Sequence, residues 1–220
     1  LGSADGHTPE RSLFGLAKAG WAPVLGLTLI AVLQNVDVIV AQHRMDPGDA
    51  GAYAAAAVAA KTIIWVAIGV GLYLLPEASR RTSTGQESRG VLEKGLIIVT
   101  ALAIPMLIAF AVIGEQLLDL AFGPGFVEAA PALVYMGAAM TCLALAYLCV
   151  QYMLALVRTK FLIVLGVFAV LLPIVLVVGG GDHPESFSIA LLVVQALNGL
   201  AMLFYGMRRE PRTAASLKKV

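Results

Sequence analysis

The run FLIVLGVFAVLLPIVLVV, residues 161–178, carries no charged residue. As a helix rising 1.5 Å per residue it would cross most of a hydrocarbon core about 30 Å thick. Its two ends differ in charge: Arg158 and Lys160 precede it, whereas Asp182 and Glu185 follow. The same contrast repeats outward in both directions. Five further apolar runs, near Trp21–Ala41, Ala50–Leu75, Leu96–Gly114, Ala129–Val157 and Phe187–Met207, divide the connections into two alternating sets. One set holds Arg11 and Lys18; Arg80, Arg81, Arg89 and Lys94; Arg158 and Lys160; and Arg208, Arg209, Arg212, Lys218 and Lys219. The other holds Arg44 alone among Asp46, Asp49, Glu115, Asp119, Glu128, Asp182 and Glu185. Only Lys61, inside a run, completes the 15 Lys and Arg of the chain. Basic connections stay on the cytoplasmic side. The pattern therefore predicts an all-α integral membrane protein of six transmembrane helices, multi-pass in an inner (plasma) membrane, with N- and C-termini cytoplasmic.

Composition agrees with that class. Of 220 residues, 60% are apolar and 13% charged, and the mean hydropathy is +0.88, far from the averages of soluble domains. Connections are too short to hold a soluble catalytic domain on either side. No strand alternation of useful length occurs, and backbone groups in lipid need internal partners, so the runs must be helices. The chain opens on Leu1 rather than Met, with no apolar stretch before Arg11 to act as a signal peptide. We therefore expect a fragment with three parts: residues 1–11 as a disordered cytoplasmic linker, 12–208 as a six-helix transmembrane lobe, and 209–220 as a basic cytoplasmic tail on anionic headgroups.

Cys142 and Cys149 stand seven apart on one helix, about 10.5 Å along its axis. That exceeds disulfide reach and makes them packing thiols. His7, His43 and His183 lie in loops without clustered partners, so neither a metal site nor a cofactor is expected. Pro23, Pro76, Pro105 and Pro173 fall within or at the ends of spans, where they kink helices for packing or serve as hinges. The second span is rich in small residues, Gly51, Ala52, Ala54–Ala57, Ala59 and Ala60, which let helix backbones approach closely. Its outer half is expected to be central rather than lipid-facing. Glu115–Phe126, with the turn Gly123-Pro124-Gly125, reads as a short outer connection.

Ionisable groups inside spans cost roughly 2.5–3.5 kcal/mol on insertion scales and normally face protein or water. Two stand out. Asp37 lies toward the outer end of the first span among Gln34, Asn35 and Gln42, and Lys61 lies nearer the middle of the second. Their depths differ by roughly 7–8 Å, which a lysine side chain can largely cover. Three readings stay open: a buried ion pair that locates two helices, two groups on a water-filled cavity, or snorkelling to the outer interface. Weaker polar stripes run along the fourth span (Met136, Met140, Tyr147, Gln151) and the sixth (Gln195, Asn198, Met202, Tyr205). They suit hydrogen bonding across helices or the lining of a cavity for a bulky amphiphile. No paired carboxylates in a loop, phosphate-cradling glycine loop or Ser–His pairing at a plausible depth is present, so an enzyme is not expected. Any transport must run on an ion gradient or the substrate's own gradient.

Particular residues resemble a known family. The run Asn35-Val36-Asp37-Val38-Ile39-Val40-Ala41, the loop Pro47-Gly48-Asp49-Ala50-Gly51 and the following Ala52-Tyr53-Ala54-Ala55-Ala56 resemble the start of the second half of polysaccharide flippases. These belong to the multidrug/oligosaccharidyl-lipid/polysaccharide (MOP) flippase superfamily. Its pattern of an outer Asp, a P-x-x-x-G-x-Y-x-x-A turn and a later Pro falls on Asp37, Pro47, Gly51, Tyr53, Ala56 and Pro76. Leu120-Ala121-Phe122-Gly123, then Phe126, Ala129 and Ala130, resemble the connection between the family's ninth and tenth helices. The likeness spans about residues 12–208, with the first block the more specific.

The resemblance implies one lobe of a MATE/MOP-type transporter, the C-terminal half, facing a missing N-terminal six-helix lobe across a central cavity. It implies flipping of a lipid-linked oligosaccharide of the undecaprenyl pyrophosphate type, with glycosyltransferases and a polymerase as further partners and no nucleic acid. Lys61 and Arg44 would hold the pyrophosphate by charge-assisted contacts. Gln34, Asn35, Tyr53, Gln151 and Asn198 would line the cavity, and Asp37 would couple to protons or sodium. The alternatives are cation-coupled multidrug efflux in the same superfamily, favoured if Asp37 alone faces the lumen, and a non-transporting scaffold for polysaccharide assembly. A membrane polymerase or ligase is disfavoured by the short acidic outer loops.

Overall fold

A computed structural model describes residues 13–208, with side chains from residue 20 onward. Arg11, His7 and the basic residues from Arg209 onward therefore lie outside the described residues, as does the side chain of Lys18. The elements are α1 (Leu13–Arg44), α2 (Pro47–Ala60), α3 (Thr62–Ser83), α4 (Arg89–Phe122), a 3-10 turn (Pro124–Ala129), α5 (Ala130–Ala155), α6 (Phe161–Gly179) and α7 (Pro184–Met207). Among the described residues there is no strand. Six helical stretches are long and apolar enough to cross a membrane, α2 and α3 together making one of them. The chain is an all-α, multi-pass membrane protein.

Helices extend past the apolar runs because charged residues at their ends pair along the helix. Arg89 Nε donates to Glu93 at 2.8 Å one turn into α4. Glu77 accepts from Arg80 and Arg81 at 2.7–2.9 Å, which carries α3 on to Ser83. Proline marks the starts instead: Pro47, Pro124 and Pro184 each open an element, where a missing N–H leaves no intrahelical bond unmade.

Helix α5 is the axis of the bundle. It packs against α7, α3 and α4 and also meets α1 and α2, and most of its residues are buried. Its two cysteines explain the contact with α7. Gly199 and Gly206 stand opposite Cys142 and Cys149, so the seven-residue steps of two parallel helices are in register. A Cβ at Gly199 would lie 3.1 Å from the Cys142 carbonyl oxygen, and one at Gly206 would lie 3.4 Å from Cys149 Sγ. Both thiols are free. On the opposite side Gly71 of α3 lets the Tyr147 ring seat against the backbone, where a Cβ would meet Cε1 at 2.7 Å. Close approach at small residues is the main source of helix association in lipid. The alanine-rich α2 follows the same rule, with Ala50, Ala52, Ala55, Ala56, Ala57 and Ala60 buried.

Helix irregularity falls at unexpected places. Pro23, Pro76, Pro105 and Pro173 all sit inside helices. The departure from helical geometry in α4 is instead at Ile113 (φ −126°, ψ 22°), beside Gly114 where α4 meets Leu133 and Ala130. The second span is interrupted at Lys61, where no Pro or Gly occurs. There the backbone tightens, with Ile64 N donating to Lys61 O at 3.1 Å and Thr62 Oγ1 to Ala59 O at 2.7 Å.

The two ends of the bundle carry different chemistry. At one end Arg44 pairs with Asp182 at 3.1 Å and His183 Nδ1 lies 3.5 Å from Asp49, joining the α1–α2 and α6–α7 turns. At the other, Ser88 and Tyr152 hydroxyls are 3.2 Å apart, and Arg158 donates to the Arg208 carbonyl at 3.1 Å. The acidic turns share the first end and the basic turns the second.

Candidate functional site

The two intramembrane charges come together. Asp37, on the α1 face turned toward α2, is fully buried, and its Oδ1 is 4.0 Å from Lys61 Nζ. Tyr53 Oη donates to Asp37 Oδ2 at 3.1 Å. Lys61 Nζ donates to Asn35 Oδ1 at 3.3 Å, and Asn35 Nδ2 donates to the Ala31 carbonyl at 2.8 Å. Oδ1 of Asp37 accepts no hydrogen bond, since an ammonium at 4.0 Å attracts it without donating.

Local structure explains the arrangement. Tyr53, in α2, and Lys61, just past its end, are eight residues apart, about 80° round the axis and roughly 12 Å along it, and both reach Asp37 on α1. The Tyr53 ring is held edge-on by Phe187 of α7, with centroids 5.2 Å apart and planes at 86°, a favourable geometry for aromatic rings. Lys61 stands where α2 ends, and its side chain is 14% exposed while Asp37 is 0% exposed. The cation thus reaches the surface of the bundle and the carboxylate does not.

Near this pair the exposed surface is still largely apolar, with Val32, Ile39, Val58 and Trp65 among its residues. The exposed residues of α6, such as Ile163, Val167, Val170, Ile174 and Val178, are apolar, as are Ile97, Leu102, Ile108 and Val112 on α4. On α1, Thr28, Asn35 and Gln42 are exposed. Each lies seven residues from the next, two turns on and about 20° round the helix. Exposed Thr62 begins α3 beside Lys61. Exposed Trp21, Val24, Leu25, Leu27, Val32 and Ile39 stand among them on α1, so the polar residues interrupt a surface that is otherwise apolar.

The other expected site residues lie elsewhere. Arg44 is engaged by Asp182 at the end of the bundle. Gln34 is half-buried on α1. Gln151 is buried and donates to Tyr147 Oη at 2.6 Å, and Asn198 is fully buried and donates to Gln195 Oε1 at 3.4 Å. Gln195 in turn donates to the Leu33 carbonyl at 2.8 Å, which ties α7 to the back of α1. The stripes on α5 and α7 therefore face the bundle interior. Two features escaped the sequence reading. The Thr28–Asn35–Gln42 spacing was visible but competed with Val24, Ile39 and other apolar neighbours, and the break at Lys61 leaves no compositional mark. Among the described residues no group of three or more His, Cys, Asp or Glu gathers in a way that could hold a metal ion.

Comparison with known proteins adds no assignment: no family model, no curated protein and no solved structure matches the chain.

Proposed function

We propose that this chain is a six-helix lobe of a MOP-type flippase that moves a lipid-linked oligosaccharide from the cytoplasmic to the outer leaflet of a bacterial plasma membrane. On this reading it works opposite an N-terminal lobe, with the termini and basic turns in the cytoplasm, without catalytic chemistry of its own and supplied by glycosyltransferases. The carrier would be of the undecaprenyl pyrophosphate type. The observation that carries the reading is the Asp37–Lys61 pair inside the apolar spans, with Lys61 Nζ also donating to exposed Asn35. A charged pair in lipid is costly, and helix packing alone does not require one. In this role Lys61 meets the anionic group of the substrate and Asp37, braced by Tyr53, takes the coupling ion. Drug efflux of cations is the weaker reading, because it wants the carboxylate at the lumen, and here the carboxylate is behind the lysine.

The test is flipping of a lipid-linked oligosaccharide in proteoliposomes holding the complete transporter. Asp37→Asn and Lys61→Ala are each expected to lower the rate at least about tenfold, near 1.4 kcal/mol in barrier. Wild-type rates in both variants would remove the site.

A further inference from the structure

We infer that the cleft where α4 bends holds one amine-headed phospholipid, of the ethanolamine type, from the leaflet at the acidic end of the bundle. The inference stands apart from the transport reading and needs only the membrane spans. Its first support is shape. Helix α4 leaves helical geometry at Ile113, and Gly114 beside it is buried against Leu133 and Ala130. Next to this contact a cleft of about 300 Å³ opens between α4 and the start of α5, with Phe110, Val112, Glu115, Gln116, Pro131 and Val134 in its walls. Glu115 and Gln116 carry its only polar side chains.

The second support is depth and continuity. Glu115 lies 21 residues beyond Lys94 on α4, about 32 Å of helix, so the two charges mark opposite boundaries of a hydrocarbon core. From the cleft, Val112, Ile108 and Ile104 step back along α4 at four-residue spacing and are 71%, 58% and 51% exposed. Residues four apart form one ridge on a helix, so an apolar strip leads from the cleft toward the middle of the membrane. Polar groups at the boundary with an apolar strip beneath them match an amphiphile, its head in the cleft and a chain along the strip. A water-soluble ligand has no use for the strip.

The third support is the sign of the charge. Glu115 and Gln116 are exposed, and neither side chain makes a hydrogen bond or ion pair among the described residues. Helix starts ordinarily favour anions through their free N–H groups. At this one Ala130 N already donates to Val127 O, and Pro131 has no N–H. Asp119 and Glu128 add negative charge at the same end, whereas Arg44 there is held by Asp182. An anionic head group is therefore repelled and an ammonium attracted. A primary ammonium has three N–H donors for the Glu115 carboxylate and the Gln116 amide oxygen, which leaves the Gln116 amide N–H groups for the lipid phosphate. A choline head has the charge without the donors.

Lipid binding by the full chain in detergent, counted by native mass spectrometry, tests the site. The probes are phosphatidylethanolamine, phosphatidylcholine and phosphatidylglycerol with identical acyl chains. The first ethanolamine lipid is expected to bind at least about five times more tightly than either of the others, since only it makes charge-assisted hydrogen bonds to Glu115. Glu115→Gln should erase that preference, and Gln116→Leu should reduce it at least about twofold through a lost neutral hydrogen bond. Glu128→Gln, which changes an acid of the same end outside the cleft, should leave it unchanged. Both cleft residues are exposed, so the variants are expected to fold, and their unfolding midpoints are measured alongside. Should Glu115→Gln prove unstable, Gln116→Leu carries the test. Equal binding of ethanolamine and choline lipids by the wild type would overturn the inference, as would tighter binding of the glycerol lipid. An ethanolamine preference unchanged in the cleft variants would place the lipid elsewhere and overturn it too. So would an equal loss in Glu128→Gln, which would mean a diffuse field rather than a site.

Discussion

Removing the ammonium of Lys61 while Asp37 stays in place exposes how the pair contributes to the fold. The groups are 4.0 Å apart, which at an effective dielectric of about 20 corresponds to roughly 4 kcal/mol of attraction. Two facts lower that figure. The lysine side chain keeps 14% of its exposure, and Tyr53 still donates to Asp37 Oδ2 in the variant. We expect Lys61→Met to cost about 2–3 kcal/mol, because an uncompensated carboxylate is left buried. Asp37→Asn should cost a similar amount, and the double variant little more than either single change. The expected coupling is then about 2 kcal/mol, well above the roughly 0.6 kcal/mol average for polar contacts within membranes. Reversible unfolding by sodium dodecyl sulfate in detergent micelles, on all four proteins of the cycle, gives the number. Effects that add within about 0.5 kcal/mol would show that the two groups do not interact and refute the reasoning.

Two further outcomes follow from the same geometry. Gly71→Ala is expected to destabilise by about 1–3 kcal/mol in the same unfolding assay, since its Cβ would meet Tyr147 Cε1 at 2.7 Å. Gly69→Ala, with nothing within 4 Å, should be neutral or slightly stabilising, which separates packing from helix propensity. Val157 closes α5 at φ 55°, a left-handed conformation that costs a side-chain-bearing residue about 1–2 kcal/mol. Val157→Gly should therefore raise stability by about 1 kcal/mol, and a loss would argue that the exposed valine is held by contacts outside this chain.

Some of this molecule is legible in its sequence and some is not, for physical reasons. The six spans are written in hydropathy, because lipid imposes one rule on every residue that faces it. Asp37 and Lys61 were visible because a charge in an apolar run is rare, and lysine reach made their pairing geometrically sensible. Helix ends were not legible. Arg89, Glu93, Glu77 and Arg81 look like loop residues by hydropathy, yet they pair along helices that continue beyond the hydrocarbon. The prolines stand inside continuous helices, and the irregular turns fall at Lys61 and Ile113, where tertiary contacts decide. Arg44 offered no hint of Asp182, because a partner 138 residues away is set by the fold alone. Gln151 and Asn198 read first as bonds between helices and second as cavity lining. Helix rotation settles that choice, and a polar stripe within a uniformly apolar helix does not reveal its rotation.

The stability cycle also prepares the most direct test of whether the buried pair serves translocation or only joins two helices. Asp37→Asn combined with Lys61→Gln removes both charges while keeping hydrogen-bonding side chains of similar size, so the bundle should stay folded. The measurement is the flipping rate of this neutral double variant in proteoliposomes beside its unfolding midpoint. Our account expects a folded variant whose midpoint is no lower than that of Asp37→Asn alone, and a rate at least about tenfold lower than wild type. Wild-type flipping by a fully folded neutral variant would contradict it and reduce the pair to a packing device.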